Sequence, residues 1–187
     1  MTTVSDYRRN YVPGGTYFFT VVTLGRRRFL TSEIGRCCLR RALLREKERR
    51  PFRILAIVLL PDHLHTVWTL PEGDADYSLR WGKIKENFTR LFSPEVGDLD
   101  HPYSSSRLRH REANVWQRRF WEHTIRDDDD LKRCVDYLHW NPVKHRLVER
   151  VVDYPWSSFH KFARSGEYRP HWGRVDPCPG MPWTEWD

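Results

Sequence analysis

The chain has 187 residues, the length of one domain with a single sizeable core and room for a short appendage. Hydrophobic residues make up 39% and aromatic residues 14%, which excludes wholesale disorder, while 32 Lys and Arg against 25 Asp and Glu leave a net charge of +7 that favours polyanionic partners. The longest apolar run, "ILAIVLL", is too short for a bilayer, the N-terminus has no apolar core with a cleavage site, and Cys37, Cys38, Cys134 and Cys178 show no C-x-x-C spacing, so a reduced, cytoplasmic protein without a membrane partner is expected.

Residues 16–24, "TYFFTVVTL", follow a glycine turn and combine aromatic with β-branched side chains, which predicts a central strand. "TSEIGRCCLRRALLREKERR" has apolar positions at 34, 38, 39, 42 and 43, the spacing of an amphipathic helix capped at Thr31 or Ser32 and stopped by Pro51. "FRILAIVLL" and "HLHTVWTL", separated by "PD", read as a hairpin. The next helix, "YSLRWGKIKENFTRLF", places Trp81, Ile84, Phe88 and Leu91 or Phe92 on one side and leaves Arg80, Lys83, Lys85 and Arg90 to solvent. Residues 93–114 look like a basic loop, and "VWQRRFWEHTIR" alternates enough to be a fourth strand. "DDDDLKRCVDYLHW" opens with acids suited to a helix N-terminus and keeps helical period, with Asn141-Pro142 expected to close it. The tail from Pro155 has little period and reads as a wrapping extension, which divides the chain into a domain at 1–154 and an extension at 155–187. This order predicts an α+β fold, a ferredoxin-like antiparallel sheet with helices on one face.

Two features carry chemistry. His63 and His65 lie two apart in a strand, so both imidazoles project from one face. The pattern fits one core and one surface histidine, or two ligands of a divalent metal. Tyr137 and Asn141 lie four apart on one face of a helix, which can bring a phenol and a carboxamide to the same point.

"LLPDHLHTVWTLPEGD", "SLRWGKIKENFTR", "WQRRFWEHTIRDDDDLKRCVDYLHWNPVKH" and "DYPWSSFHKF", in that order from about Tyr17 to Phe162, resemble the REP-associated tyrosine transposases, within the HUH single-tyrosine transposases. The resemblance implies the HUH endonuclease fold, with His63 and His65 as metal ligands, Tyr137 as the nucleophile on single-stranded DNA and Asn141, one turn on, as the third ligand. One departure is Arg146, where the family commonly has glycine after "NPVKH".

Two imidazole nitrogens and an amide oxygen suit Mg²⁺ or Mn²⁺. The implied substrate is a single-stranded DNA hairpin of the repeated extragenic palindromic (REP) type, cleaved and rejoined through a 5′-phosphotyrosine with no nucleotide cofactor or small-molecule substrate. Candidate DNA contacts are Arg26, Arg27, Arg28, Lys83, Lys85, Arg107, Arg109, Arg118 and Arg119. A bacterial, nucleoid-associated protein active as monomer or homodimer is expected. The competing expectations are a non-catalytic hairpin-binding module, and a zinc hydrolase drawing a further ligand from His123 or His139.

Overall fold

The computed structural model describes residues 9–96, 115–169 and 171–179, so Arg107 and Arg109 lie outside the described residues. Four strands, β1 (Thr16–Val22), β2 (Arg53–Leu59), β3 (His63–Thr69) and β4 (Trp121–Thr124), form an antiparallel sheet in the order β2-β3-β1-β4. The described helices are α1 (Glu33–Arg49), α2 (Tyr77–Val96), α3 (Asp128–Lys144) and the short α4 (Phe159–Arg164). The α+β antiparallel architecture agrees with the sequence reading.

The helices cover both faces of the sheet, not one. Tyr17, Phe19 and Val21 of β1 join Leu64 and Trp68 of β3 in a core with Leu39 and Ala42 of α1 and Trp81, Ile84 and Phe88 of α2. The alternate residues, Phe18 of β1, Ala56 and Val58 of β2 and Val67 of β3, pack with Val135, Tyr137 and Leu138 of α3. A sheet buried on both faces needs strands that are apolar throughout, which is why "TYFFTVV" shows no clean alternation.

Local chemistry sets the helix starts. Ser32 caps α1, its Oγ accepting from the Gly35 N–H at 3.0 Å. Gly35 then lies against the preceding turn so closely that a Cβ there would sit 2.1 Å from the Phe29 carbonyl oxygen. Asp127 caps α3 by accepting from the Asp130 N–H at 2.8 Å, and Asp128, Asp129 and Asp130 fill its first turn, the end where the helix dipole favours negative charge.

Four sequence expectations need correction. The first strand stops at Val22, where Leu24–Arg26 turns into a short 3-10 segment. Of "VWQRRFWEHTIR" only Trp121–Thr124 pairs as a strand, with a single further bridge from Trp116 to Thr23. Asn141-Pro142 does not end α3, which runs on to Lys144 and is capped at His145, whose N–H donates to the Asn141 carbonyl at 2.9 Å. Arg80 is 1% exposed rather than solvated, because Asp74 takes its guanidinium bidentately at 3.0 and 2.6 Å and the Arg50, Pro51 and Asp76 carbonyls accept its remaining N–H groups.

The segment after Pro155 continues the β2 edge. The Leu59 N–H donates to the Trp156 carbonyl and the Ser158 N–H to the Ile57 carbonyl, both at 2.8 Å, before α4 packs its Phe159 with Tyr168 and Trp172.

Candidate active site

On β3, His63 and His65 face the layer occupied by α3. Each ring is held by its Nδ1. Asp62, in the hairpin turn, bonds Nδ1 of His63 at 2.7 Å, and Thr20, the cross-strand partner of His65, bonds Nδ1 of His65 at 2.9 Å. A bond of this kind to Nδ1 is the arrangement that orients metal-binding histidines toward ligation through Nε2. Burial pushes the Asp62 carboxyl up, but its hydrogen bond to His63 and the nearby charges of His63 and Arg26 outweigh that and hold it at about 2. The carboxylate is therefore ionised and an acceptor for an N–H at His63 Nδ1.

Opposite the rings, α3 presents one stripe. At about 100° per residue, positions 137, 141 and 144 fall within a narrow sector. Tyr137 packs its ring 5.7 Å from that of His65 and 6.1 Å from that of Phe18, centre to centre, and is 1% exposed. Asn141, one turn further, is wholly buried, and among the described residues neither its Oδ1 nor its Nδ2 has a hydrogen-bond partner. Nε2 of His63 is in the same position. Buried polar atoms without partners are rare and costly, so a cluster of them calls for a ligand. Two oriented imidazoles and a buried amide, one helical turn from Tyr137 and without partners among the described residues, are a donor set of the kind that fits a divalent cation, so the residue types present suit the metal that the sequence resemblance implies.

Two residues of this site were missed by the sequence reading. His145, capping α3, places its ring 5.0 Å from that of His63, and its Nε2 also lacks a partner among the described residues. Burial, then the neighbouring His63, His65 and Lys144, push His145 down to about 4, so it is a neutral imidazole at neutral pH. Lys144 donates from Nζ to the Tyr137 hydroxyl oxygen at 2.9 Å. Both belong to the quoted "NPVKH", and the signal that could have found them is heptad spacing, seven residues from Tyr137 to Lys144. Assuming that the helix ended at Asn141 hid it. A cleft of about 170 Å³ opens beside the pair, lined by Arg28, Asp62, His63 and His145 among others.

The other candidates fall elsewhere. His139 is buried, with Nδ1 to the Tyr168 hydroxyl at 2.9 Å and Nε2 to Ser158 Oγ at 2.8 Å, and burial pushes it down to about 3. His123, Asp130 and Cys134 bring donor atoms within 4.8 Å of one another, yet His123 Nε2 already bonds Asp130 at 2.8 Å and burial keeps the Cys134 thiol protonated. Neither arrangement favours zinc. Of the basic candidates, Arg28 lines the cleft and Arg26 lies 3.3 Å from Asp62, while Arg27 donates to the Leu24 carbonyl. Lys85 donates to the Gln117 carbonyl at 2.8 Å, Lys83 pairs with Glu86, and Arg118 and Arg119 are exposed ahead of β4.

An H-x-H strand of an antiparallel sheet with a tyrosine-bearing helix packed on the face its histidines occupy matches the arrangement that the resemblance to the HUH single-tyrosine transposases implies. No protein-family model matches the chain. It is 43% identical over 171 residues to a Haemophilus influenzae protein described as a REP-associated tyrosine transposase, covering 91% of this chain and 94% of that one. It is 44% identical over 170 residues to the Escherichia coli K12 REP-associated tyrosine transposase, covering 90% and 91%. A solved structure of a REP-associated tyrosine transposase bound to a REP hairpin superposes with a TM-score of 0.75 at 41% identity, covering 95% of this chain and 98% of that one. The chain belongs to the REP-associated tyrosine transposases and is an enzyme of that family.

Proposed function

We propose that this transposase cleaves and rejoins single-stranded DNA at REP-type hairpins, with Tyr137 as nucleophile and His63, His65 and Asn141 as ligands of Mg²⁺ or Mn²⁺. The observation that carries this reading is the convergence of the β3 imidazoles with the Tyr137–Asn141 stripe of α3, where buried ligand atoms of His63 and Asn141 lack partners. The relative bound to a REP hairpin supports the choice of substrate.

When bound, the metal supplies polarisation of the scissile phosphate and offsets its charge. The protein's own residues do the rest. Asp62 and Thr20 fix the imidazoles, Phe18 and His65 wall the Tyr137 ring, and Arg28, which lines the adjoining cleft, supplies a cation for a backbone phosphate. In the chemical step a bond forms between Tyr137 Oη and phosphorus while the bond from phosphorus to the 3′-oxygen breaks. The phenol proton passes to water and the leaving 3′-oxygen takes one up. The products are a 5′-phosphotyrosine and a free 3′-hydroxyl, and the retained ester energy allows rejoining without a nucleotide cofactor. The proposed catalytic unit is residues 1–154, followed by an extension from 155 whose Trp156 and Ser158 brace the β2 edge.

The test is covalent capture. Wild type incubated with a labelled single-stranded REP hairpin and Mn²⁺ should give a protein–DNA adduct on a denaturing gel, mapping to Tyr137 by mass spectrometry. Tyr137→Phe should bind the hairpin without forming it. An adduct in that variant, or one mapping to Tyr154, would overturn the assignment.

A further inference from the structure

Lys144 is the last residue of α3, seven positions after Tyr137, and helical side chains lean toward the N-terminus, so its stem runs back along the stripe. A lysine there could simply have pointed into water, where the helix dipole already favours a cation. Instead Nζ donates to the Tyr137 hydroxyl oxygen at 2.9 Å and lies 4.9 Å from the centre of its ring. The contact therefore falls on the atom that must bond to phosphorus. The charge on that atom is the difficulty of the reaction, since a phenol ionises only near pH 10.

We propose that Lys144 is a catalytic residue whose ammonium group holds the Tyr137 oxygen and offsets the negative charge on it in both directions of strand transfer. In cleavage the donated hydrogen bond stabilises the oxygen as it loses its proton to water and attacks. In rejoining the 3′-hydroxyl gives its proton to water as it attacks the phosphotyrosine, the bond from Oη to phosphorus breaks, and the departing phenolate takes the same hydrogen bond before it regains a proton from water. A fixed donor aimed at an oxygen that changes charge needs no reorganisation during the step. In this role Lys144 donates a hydrogen bond and exchanges no proton with the substrate, and water takes up and returns the protons of both directions. Lys144 bonds the nucleophile's own oxygen and is not among the residues lining the Arg28 cleft, which distinguishes its role from that of Arg28.

This inference rests on the reading of Tyr137 as the nucleophile, so Tyr137→Phe is run alongside Lys144→Met and Lys144→Arg in the full-length protein. Lys144→Met keeps the stem and removes the charge. In single-turnover assays with the labelled hairpin and Mn²⁺, it should slow adduct formation about a hundredfold, and slow rejoining of a preformed adduct to a 3′-hydroxyl strand by a similar factor. Hairpin affinity by gel shift, Mn²⁺ uptake by titration and melting temperature should stay at wild-type values. Lys144→Arg, which restores the cation, should recover at least about a tenth of the wild-type rate. The proposal fails if Lys144→Met reacts at the wild-type rate, if its defect lies in hairpin affinity, or if Lys144→Arg is as slow as Lys144→Met. If Tyr137→Phe also forms the adduct, the site assignment itself is wrong; if only Lys144→Met behaves as wild type, that assignment stands and the role of Lys144 falls.

Discussion

Asn141 should make the metal-free protein less stable than it could be. Its side chain is wholly buried, and both amide atoms lack a partner among the described residues. Leaving a buried donor or acceptor unmade costs about 1–3 kcal/mol each, so the two together set a ceiling of about 6 kcal/mol. Asn141→Ala removes both, gains about half a kcal/mol of helix propensity, and gives back about 1–2 kcal/mol in lost packing. The expected net is about 2 kcal/mol of stabilisation, or roughly 4–8 °C in melting temperature for a chain of this size. The assay is thermal melting in EDTA and again with Mn²⁺. Wild type should gain about 2.7 kcal/mol at a hundredfold excess of metal over its dissociation constant, and the variant should gain little. Metal would thus reverse the order of the two proteins. If Asn141→Ala melts below wild type in EDTA and still rises with Mn²⁺ as wild type does, the amide is a structural group and not a ligand.

Arg146 holds a φ of +54°, left-handed backbone that costs a side-chain-bearing residue about 1–2 kcal/mol. Arg146→Gly should therefore stabilise by about 0.5–1 kcal/mol after glycine's entropy is subtracted, measured by urea denaturation; a loss of stability would mean that the arginine side chain holds the turn. Hydrogen bonds from Arg80 hold the Asp74 carboxyl below its ordinary value, so the pair contributes fully above the unfolded carboxylate pKa of about 4, and its contribution is lost as pH falls through the lower folded value. Asp74→Asn should cost about 2 kcal/mol at pH 7 and show a shallower acid loss of stability than wild type below about pH 4; parallel acid profiles would refute the linkage. Hairpin affinity should fall with salt, by about 0.7 log unit per phosphate contact for each tenfold rise, and a flat fluorescence-anisotropy titration would count against phosphate binding by the basic surface.

What the sequence revealed follows from which interactions are local. Strand period put His63 and His65 on one face, and helix period put Tyr137 and Asn141 on another, with no tertiary knowledge needed. That the two faces meet was not readable from period, because it depends on which side of the sheet α3 takes. The strand "TYFFTVV" held the clue, since a run without alternation implies cover on both faces. The burial of Arg80 was hidden because its partner, Asp74, lies in the loop before α2 and two of the accepting carbonyls, of Arg50 and Pro51, lie beyond α1. Lys144 and His145 were lost to a propensity rule. Proline disfavours helix at the residue before it, but tertiary packing carried α3 through Pro142 and placed both side chains on the site.

The two faces of the sheet also divide stability from chemistry. Beneath α1 and α2, Trp68 stacks on Trp81 at 4.3 Å and Phe19 meets Trp68, Tyr77 and Trp81, an aromatic layer of ring-on-ring packing in which the Trp68 and Trp81 Nε1–H groups lack partners among the described residues. Beneath α3 the same strands turn Thr20, His63 and His65 inward, and the cost of burying them is only partly offset by Asp62 and the Thr20–His65 bond. A buried polar site of this kind holds its geometry only if the scaffold under it does not yield. Because Thr20 and His65 are cross-strand partners, a one-residue slip of β1 against β3 would turn Phe19 and Val21 toward the site and carry Thr20 away from His65. The aromatic layer resists that slip, since Phe19 and Trp68 would lose the packing that fixes the register. Cavities cut there, as by Trp81→Ala, should consequently slow cleavage before they unfold the protein, whereas substitutions on α3 should change chemistry at nearly constant register.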